Sequence, residues 1–217
     1  MPEPATITLV GTSFLAMSLR YVRAKYRFLK PYFDQVVAVL LLVVSAPVIA
    51  LCAALVRLTS RGPVFYRQER VGENGQIFDI IKLRTMRVDA ESKTGPAWST
   101  GEADPRVTGV GRLLRKTHLD ELPQLVNVIR GEMSLVGPRP ERPHFVEKLK
   151  ESVPGYECRL AIKPGITGLA QVRAGYDRDL RDVRRKVKLD AMYINRMCWW
   201  VDFVIIWKTM GKFVGRT

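Results

Sequence analysis

The sequence predicts an α+β protein that is mostly helical, built from a membrane-embedded helix, a short β-hairpin, a helix carrying an acid pair and amphipathic interfacial helices at the C-terminus. Three observations predict it. Val36 to Val56 contains no charged residue, and about 20 apolar residues suffice to cross a bilayer's hydrocarbon core. Pro63–Arg70 and Gln76–Arg84 have strand-like composition and flank the turn Val71-Gly72-Glu73-Asn74-Gly75. The remainder reads as short helical patterns punctuated by Gly and Pro, ending in basic residues and tryptophans.

A chain of 217 residues has room for one domain with a real core plus a membrane-associated part. Its 47% hydrophobic content stands beside a formal charge of +14, which suits attraction to an anionic surface. Nucleic acid is disfavoured as that surface, because the chain lacks zinc-ligand spacing, an aromatic RNA-binding signature and a polar basic tail. Cys52, Cys158 and Cys198 are odd in number and widely spaced, so they form neither a disulfide framework nor a CxxC site, as in a reducing cytosol. The two histidines, His118 and His144, are too few for a zinc centre without thiolates, and His118 reads as a local hydrogen-bonding residue.

Taken in order, Ile7–Leu19 is a short apolar run followed by Arg20, Arg23, Lys25, Arg27 and Lys30. Residues 1–30 are expected to be an interfacial segment or the remnant of a longer membrane region. Residues 31–58 form the apolar helix, with Pro47 near its middle and Arg57, Arg61, Arg67 and Arg70 after it. Basic flanks pull both ends to the cytoplasmic face, which one straight span cannot satisfy. A helix broken at Pro47 that enters and leaves by one leaflet can, with Ser45 available to satisfy a freed backbone group. Residues 59–217 are then a cytoplasmic domain with an interfacial C-terminal helix.

In the second hairpin strand Phe78, Ile80, Lys82 and Arg84 alternate onto one face, so Lys82 and Arg84 project together, as a solvated strand end or as phosphate contacts. Asp89–Arg106 is a polar loop placed where it could close over a substrate. After it, Leu122, Leu125, Val126 and Ile129 share a helical face, Gly131 fits a C-terminal cap, Asp120 fits the N-cap, and Pro123 falls in the first turn. The helix spans about ten residues and has Asp120 and Glu121 at its positive end. That pair is compatible with ordinary helix-start chemistry, worth roughly 0.5–2 kcal/mol for the cap.

His144–Glu151 reads as a helix, and the run containing Pro164, Gly165 and Gly168 as a turn-rich segment. There Gln171 could contact a sugar, a base or the backbone. The tail carries Arg181, Arg184, Arg185, Lys186 and Lys188 and then Trp199, Trp200 and Trp207, a pairing suited to membrane headgroups.

Four stretches occur in order: KLRTM at Lys82–Met86, the acid pair within LDELPQL, GEMSLVGPRPE at Gly131–Glu141 and KPGITGLAQV at Lys163–Val172. Together they resemble the bacterial sugar transferase family, the monotopic polyprenyl-phosphate phosphoglycosyl transferases. The resemblance covers about Pro31 to the C-terminus. It implies a membrane-bound enzyme at the cytoplasmic face of the bacterial inner membrane, moving sugar 1-phosphate from a UDP-sugar to polyprenyl (undecaprenyl) phosphate and releasing UMP. Glucose and galactose are plausible sugars. The family's broken membrane helix matches Pro47, although here Ala46 separates Ser45 from the proline.

The resemblance implies Asp120 as nucleophile and Glu121 as its supporting carboxylate. An aspartate can attack phosphorus to give an acyl phosphate, but spacing alone does not separate this from metal bridging with direct transfer. Mg²⁺ held by Asp120 and Glu121 is expected to offset their repulsion of a diphosphate. Arg139, held between Pro138 and Pro140, suits a bidentate phosphate contact. Lys82, Arg84 and Arg115 are further phosphate candidates, and Glu141 is placed to sense the sugar. A homo-oligomer is compatible with the sequence. The competing reading is a non-catalytic membrane-surface scaffold, which nucleotide-sugar turnover distinguishes.

Overall fold

The computed structural model describes residues 4–88, 90, 104–174 and 179–213, with side chains described from residue 24 to residue 211 within those ranges. The expected loop over Asp89–Arg106 lies largely outside them. A long helix α1 (Pro4–Thr59) is followed by the hairpin strands β1 (Phe65–Val71) and β2 (Ile77–Leu83), then α2 (Gly109–Lys116), a 3-10 turn at Leu119–Gln124 and α3 (Leu125–Ile129). Beyond these come β3 (Ser134–Val136), α4 (Pro143–Ser152), a second 3-10 segment at Tyr156–Ala161, β4 (Gly165–Thr167), α5 (Leu169–Arg173), α6 (Leu180–Arg196) and α7 (Trp199–Phe213).

The expected mostly helical fold with a short antiparallel hairpin is present. β1 and β2 pair from Phe65 opposite Leu83 to Val71 opposite Ile77. A second, parallel pair joins β3 to β4, with Ser134 opposite Gly165 and Val136 opposite Thr167. The sequence did not suggest it, since strands of three residues carry no readable alternation.

α1 is long and apolar enough over Ala24–Thr59 to cross a membrane by length and composition. Residues 4–30, expected as a separate segment, are continuous with it, and the backbone stays helical across Pro47. Ser45 Oγ donates to the carbonyls of Leu41 at 2.7 Å and Leu42 at 3.4 Å. It does not reach the Val43 carbonyl, which loses its i+4 donor to the proline, so the replacement-donor role expected of Ser45 is corrected. The serine back-bonds within its own turn, an arrangement that favours helix bending.

Burial along α1 is patterned. Tyr26, Lys30, Asp34 and Ala38, four residues apart, are buried, as are Cys52 and Val56, whereas no residue from 39 to 51 is. Tyr26 and Ala38 join a core with Leu125, Val128, Met133, Val136, Tyr193 and Ile205, and the second group packs with Leu83 and Leu114. Polar members of the stripe are paired. Lys30 Nζ lies 2.6 Å from Asp202 Oδ2 and 3.1 Å from Asp34 Oδ2. Tyr26 and Tyr193 each donate to Asp202 at 2.7 Å, and Ser134 Oγ donates to Asp34 Oδ2 at 2.5 Å. This network ties α1 to β3, α6 and α7.

Two further expectations change. Asp120 is not an N-cap: it lies inside the 3-10 turn, whose entry is His118 in the left-handed conformation, φ 53°. The ten-residue helix is therefore a 3-10 turn followed by the short α3, ending before Gly131 at φ 78°. Within KPGITGLAQV, β4 and α5 replace the expected irregular turn.

Candidate active site

The acid pair sits at the junction of β2, α2 and the 3-10 turn. β2 pairs with β1 along one edge, and buried Asn127 closes the other. Its Oδ1 accepts from Ile81 N at 3.0 Å, while its Nδ2 donates to the Asp79 carbonyl at 2.7 Å and to Glu132 Oε2 at 2.7 Å. The next residue of the strand, Lys82, thereby reaches Glu121 Oε1 at 2.9 Å. From the opposite side Arg139 Nη2 reaches the same oxygen at 2.7 Å, and Nη1 lies 3.5 Å from Oε2.

The two carboxylates are thus in different states. Burial alone would raise Glu121, but Arg139 and Lys82 outweigh it and hold the carboxyl well below its usual range. Asp120 is 7% exposed, and among the described residues no hydrogen bond or ion pair engages its carboxylate. Burial, followed by the charge of Glu121, pushes Asp120 up to about 6, against the pull of Lys82, Arg115 and Arg139. Such divergence within an acid pair gives its members separate roles. Glu121 is a fixed anion organising two cations, whereas Asp120 keeps its lone pairs.

The Arg139 segment is held by its carbonyls. Those of Pro138, Arg139, Pro140 and Glu141 accept from Gly165 N, Arg159 Nη2, Arg70 Nη1 and Val71 N, at 2.9, 3.1, 3.0 and 2.9 Å. Two prolines restrict the same backbone from within.

Residues 25–216 match the sequence profile of the family described as bacterial sugar transferase. The chain belongs to the bacterial sugar transferase family. It is 40% identical over 185 residues to UDP-N-acetylgalactosamine-undecaprenyl-phosphate N-acetylgalactosaminephosphotransferase of Aeromonas hydrophila, covering 85% of this chain and 43% of that protein. It is 40% identical over 193 residues to UDP-glucose:undecaprenyl-phosphate glucose-1-phosphate transferase of Escherichia coli (strain K12), covering 88% and 41%. A relative of the latter name in Caulobacter vibrioides is 41% identical over 184 residues, covering 83% and 68%. The chain spans less than half the length of the first two.

In this member of the family the expected site residues divide. Lys82, Glu121 and Arg139 converge beside Asp120. Arg115 joins them through its charge on Asp120, while its Nε donates to Thr85 Oγ1 at 2.9 Å. Pro138 and Pro140 frame Arg139, and Glu141 Oε2 lies 3.6 Å from Arg70 Nη1. Arg84 does not join: β2 ends at Leu83, and Arg84 Nη2 donates instead to the carbonyl and hydroxyl of Ser60 at 2.9 and 2.7 Å. The expectation that Lys82 and Arg84 project together is thereby corrected. Gln171 on α5 donates to the Ile166 carbonyl of β4 at 2.9 Å.

Trp200 and Trp207 are exposed and stack on either side of Phe203, at 5.7 and 6.3 Å between ring centroids. Trp199 instead meets the Tyr26 and Phe33 rings of α1 edge-on, at 4.9 and 4.8 Å. Asn127 and Arg159 escaped the sequence reading, because both act through contacts with residues distant in the chain.

For a divalent metal, no group of three or more His, Cys, Asp or Glu occurs among the described residues. Mg²⁺ nevertheless commonly takes one or two carboxylates and completes its shell with phosphate and water. The Asp120 carboxylate fits that pattern. Glu121 fits less well, since its oxygens are occupied by Lys82 and Arg139.

Proposed function

We propose that this chain transfers sugar 1-phosphate from a UDP-sugar to undecaprenyl or a similar polyprenyl phosphate, as the first membrane step of exopolysaccharide or other glycan assembly. One observation carries the reading: a buried carboxylate, that of Asp120, with no hydrogen-bond partner among the described residues, beside Glu121 and three cationic side chains. The names of relatives point to the same reaction and differ in the sugar.

In the proposed sequence an Asp120 oxygen attacks the phosphorus that bears the sugar. The bond between that phosphorus and the bridging oxygen breaks, and UMP leaves with the electron pair. The resulting aspartyl phosphosugar is attacked at the same phosphorus by an oxygen of polyprenyl phosphate, which expels the Asp120 carboxylate and gives polyprenyl diphosphate sugar. Arg139 and Lys82, oriented by Glu121, hold donor phosphate charge, and Arg115 adds positive potential beside Asp120. The Asp120 carboxylate would hold Mg²⁺, which would supply charge neutralisation for the donor diphosphate.

We further propose that α1 is re-entrant and that the chain lies on the cytoplasmic face. The supporting pattern is that residues before 39 and after 51 pack on the same body while none between is buried. The exposed Trp200, Phe203 and Trp207 face supplies a second interfacial contact.

The test is UMP release from a panel of UDP-sugars with polyprenyl phosphate and Mg²⁺, comparing the native chain with Asp120→Asn. An active native chain and a folded, inactive variant support the reading, and the turnover pattern names the sugar. Labelled phosphosugar attached to the native protein without lipid acceptor supports the covalent step, whereas a fully active Asp120→Asn would remove it. A native chain that turns over no donor returns the scaffold reading.

A further inference from the structure

The Arg139 carbonyl is backed by a buried ion pair outside the acid site. Arg159, in the second 3-10 segment, is 7% exposed, and Asp190, on α6, is 1% exposed. All three guanidinium nitrogens of Arg159 are directed. Nε donates to Asp190 Oδ2 at 2.8 Å, Nη1 to the Tyr156 hydroxyl at 3.1 Å and Nη2 to the Arg139 carbonyl at 3.1 Å.

A buried ion pair gives little net stability relative to well-packed apolar residues, so its presence calls for another reason. The prolines on either side of Arg139 lack N–H groups, which leaves carbonyls as the main handles on this segment. Of the four donors to those carbonyls, Arg159 is the one that acts on Arg139 itself. Its planar fork bridges Asp190 and that carbonyl at fixed angles, which a lysine ammonium cannot reproduce. The chain of contacts runs from α6 through Asp190, Arg159 and Arg139 to Glu121, one residue from Asp120.

We propose that Arg159 and Asp190 are a positioning pair that fixes the backbone of Arg139 and so aims its guanidinium at the donor diphosphate. This rests on the reading of Arg139 as a donor-phosphate contact. The pair touches no reacting atom, and its effect falls on the half-reaction that consumes the UDP-sugar.

The experiment uses the full chain in detergent, with steady-state kinetics against UDP-sugar and polyprenyl phosphate. Arg159→Lys is compared with Val187→Ala, a substitution in the same buried stripe of α6 that destabilises without touching Arg139. Arg159→Lys is expected to lower kcat/KM for the donor roughly 10- to 100-fold and to leave kcat/KM for the acceptor within about twofold. Val187→Ala should leave both within about twofold despite a lower Tm. In an Arg139→Ala background Arg159→Lys should cause no further loss, because both act through one contact.

Losses that multiply in the double variant, an unchanged donor kcat/KM, or equal losses in Val187→Ala overturn the proposal. Should Arg159→Lys fail to fold, Tyr156→Phe removes the Nη1 acceptor and must shift the same parameter in the same direction. If the native chain releases no UMP, the functional reading fails separately. Amide exchange over residues 138–142 then decides the positioning claim, which stands if Arg159→Lys accelerates it and Val187→Ala does not, and falls otherwise.

Discussion

Asp120 and Glu121 are neighbours in sequence with opposite electrostatic fates, and that divergence makes a pH prediction. Because burial and the Glu121 charge raise Asp120 to about 6, donor kcat/KM should, on the proposed mechanism, fall about tenfold per pH unit below that value as the Asp120 carboxylate protonates. Glu121→Gln removes a neighbouring negative charge, so the acid limb that remains should move to lower pH. An unmoved limb would assign it to another group. Stability has its own sign. The folded carboxyl binds its proton more tightly than the unfolded one, so its contribution is present below pH 4 and lost as pH rises through 6. In metal-free buffer Asp120→Asn should therefore be more stable than the native chain at pH 8, by on the order of 2–3 kcal/mol, with the gap closing near pH 4 in denaturant titrations. The acid pair was legible in sequence because its residues are adjacent. Asn127 and Arg159 were not, since their partners lie 48 and 20 residues away.

At the scale of elements, the sequence pattern located the hairpin but misjudged the helix start. Asp120 resembles an N-cap because Asp favours that position, yet His118 takes the left-handed turn and moves the acid pair into a 3-10 segment. That turn leaves the Asp120 side chain without a capping role. The G-x-x-G spacing of Gly165 and Gly168 was too common a pattern to interpret in the sequence; the β3–β4 pairing explains it. A Cβ on Gly165 would meet Gly137 N, and one on Gly168 would meet Gly137 O, each 2.1 Å away. Gly137 immediately precedes Pro138, so these glycines let two backbones touch where the Arg139 segment begins. Gly165→Ala should destabilise by roughly 1–3 kcal/mol through overpacking and also depress donor turnover. Native Tm and activity in that variant would show that the junction yields without cost.

At the scale of the whole molecule, the proposed membrane placement makes α1 the link between the apolar phase and the site. Its apolar stretch was plain in the sequence; the pairing of Lys30 and Asp34 with Asp202 and Ser134 was hidden, because charged residues beside a hydrophobic run read as flanks. Those buried bonds fix residues 26–38 to the folded body that carries the acid pair, and Cys52 and Val56 fix the other end to Leu83 and Leu114. A straight span would carry one of these ends to the far leaflet, away from the body it packs against. Single cysteines replacing Arg27 and Arg61, in a chain whose Cys52, Cys158 and Cys198 are changed to serine, report on this directly. In sealed inverted membrane vesicles, whose cytoplasmic face is outward, an impermeant maleimide should label both positions without detergent. Labelling at Arg61 alone, with Arg27 reacting only after solubilisation, would establish a span and require the packing of Tyr26, Lys30 and Asp34 to be abandoned, since one body cannot hold both ends from opposite sides of a bilayer.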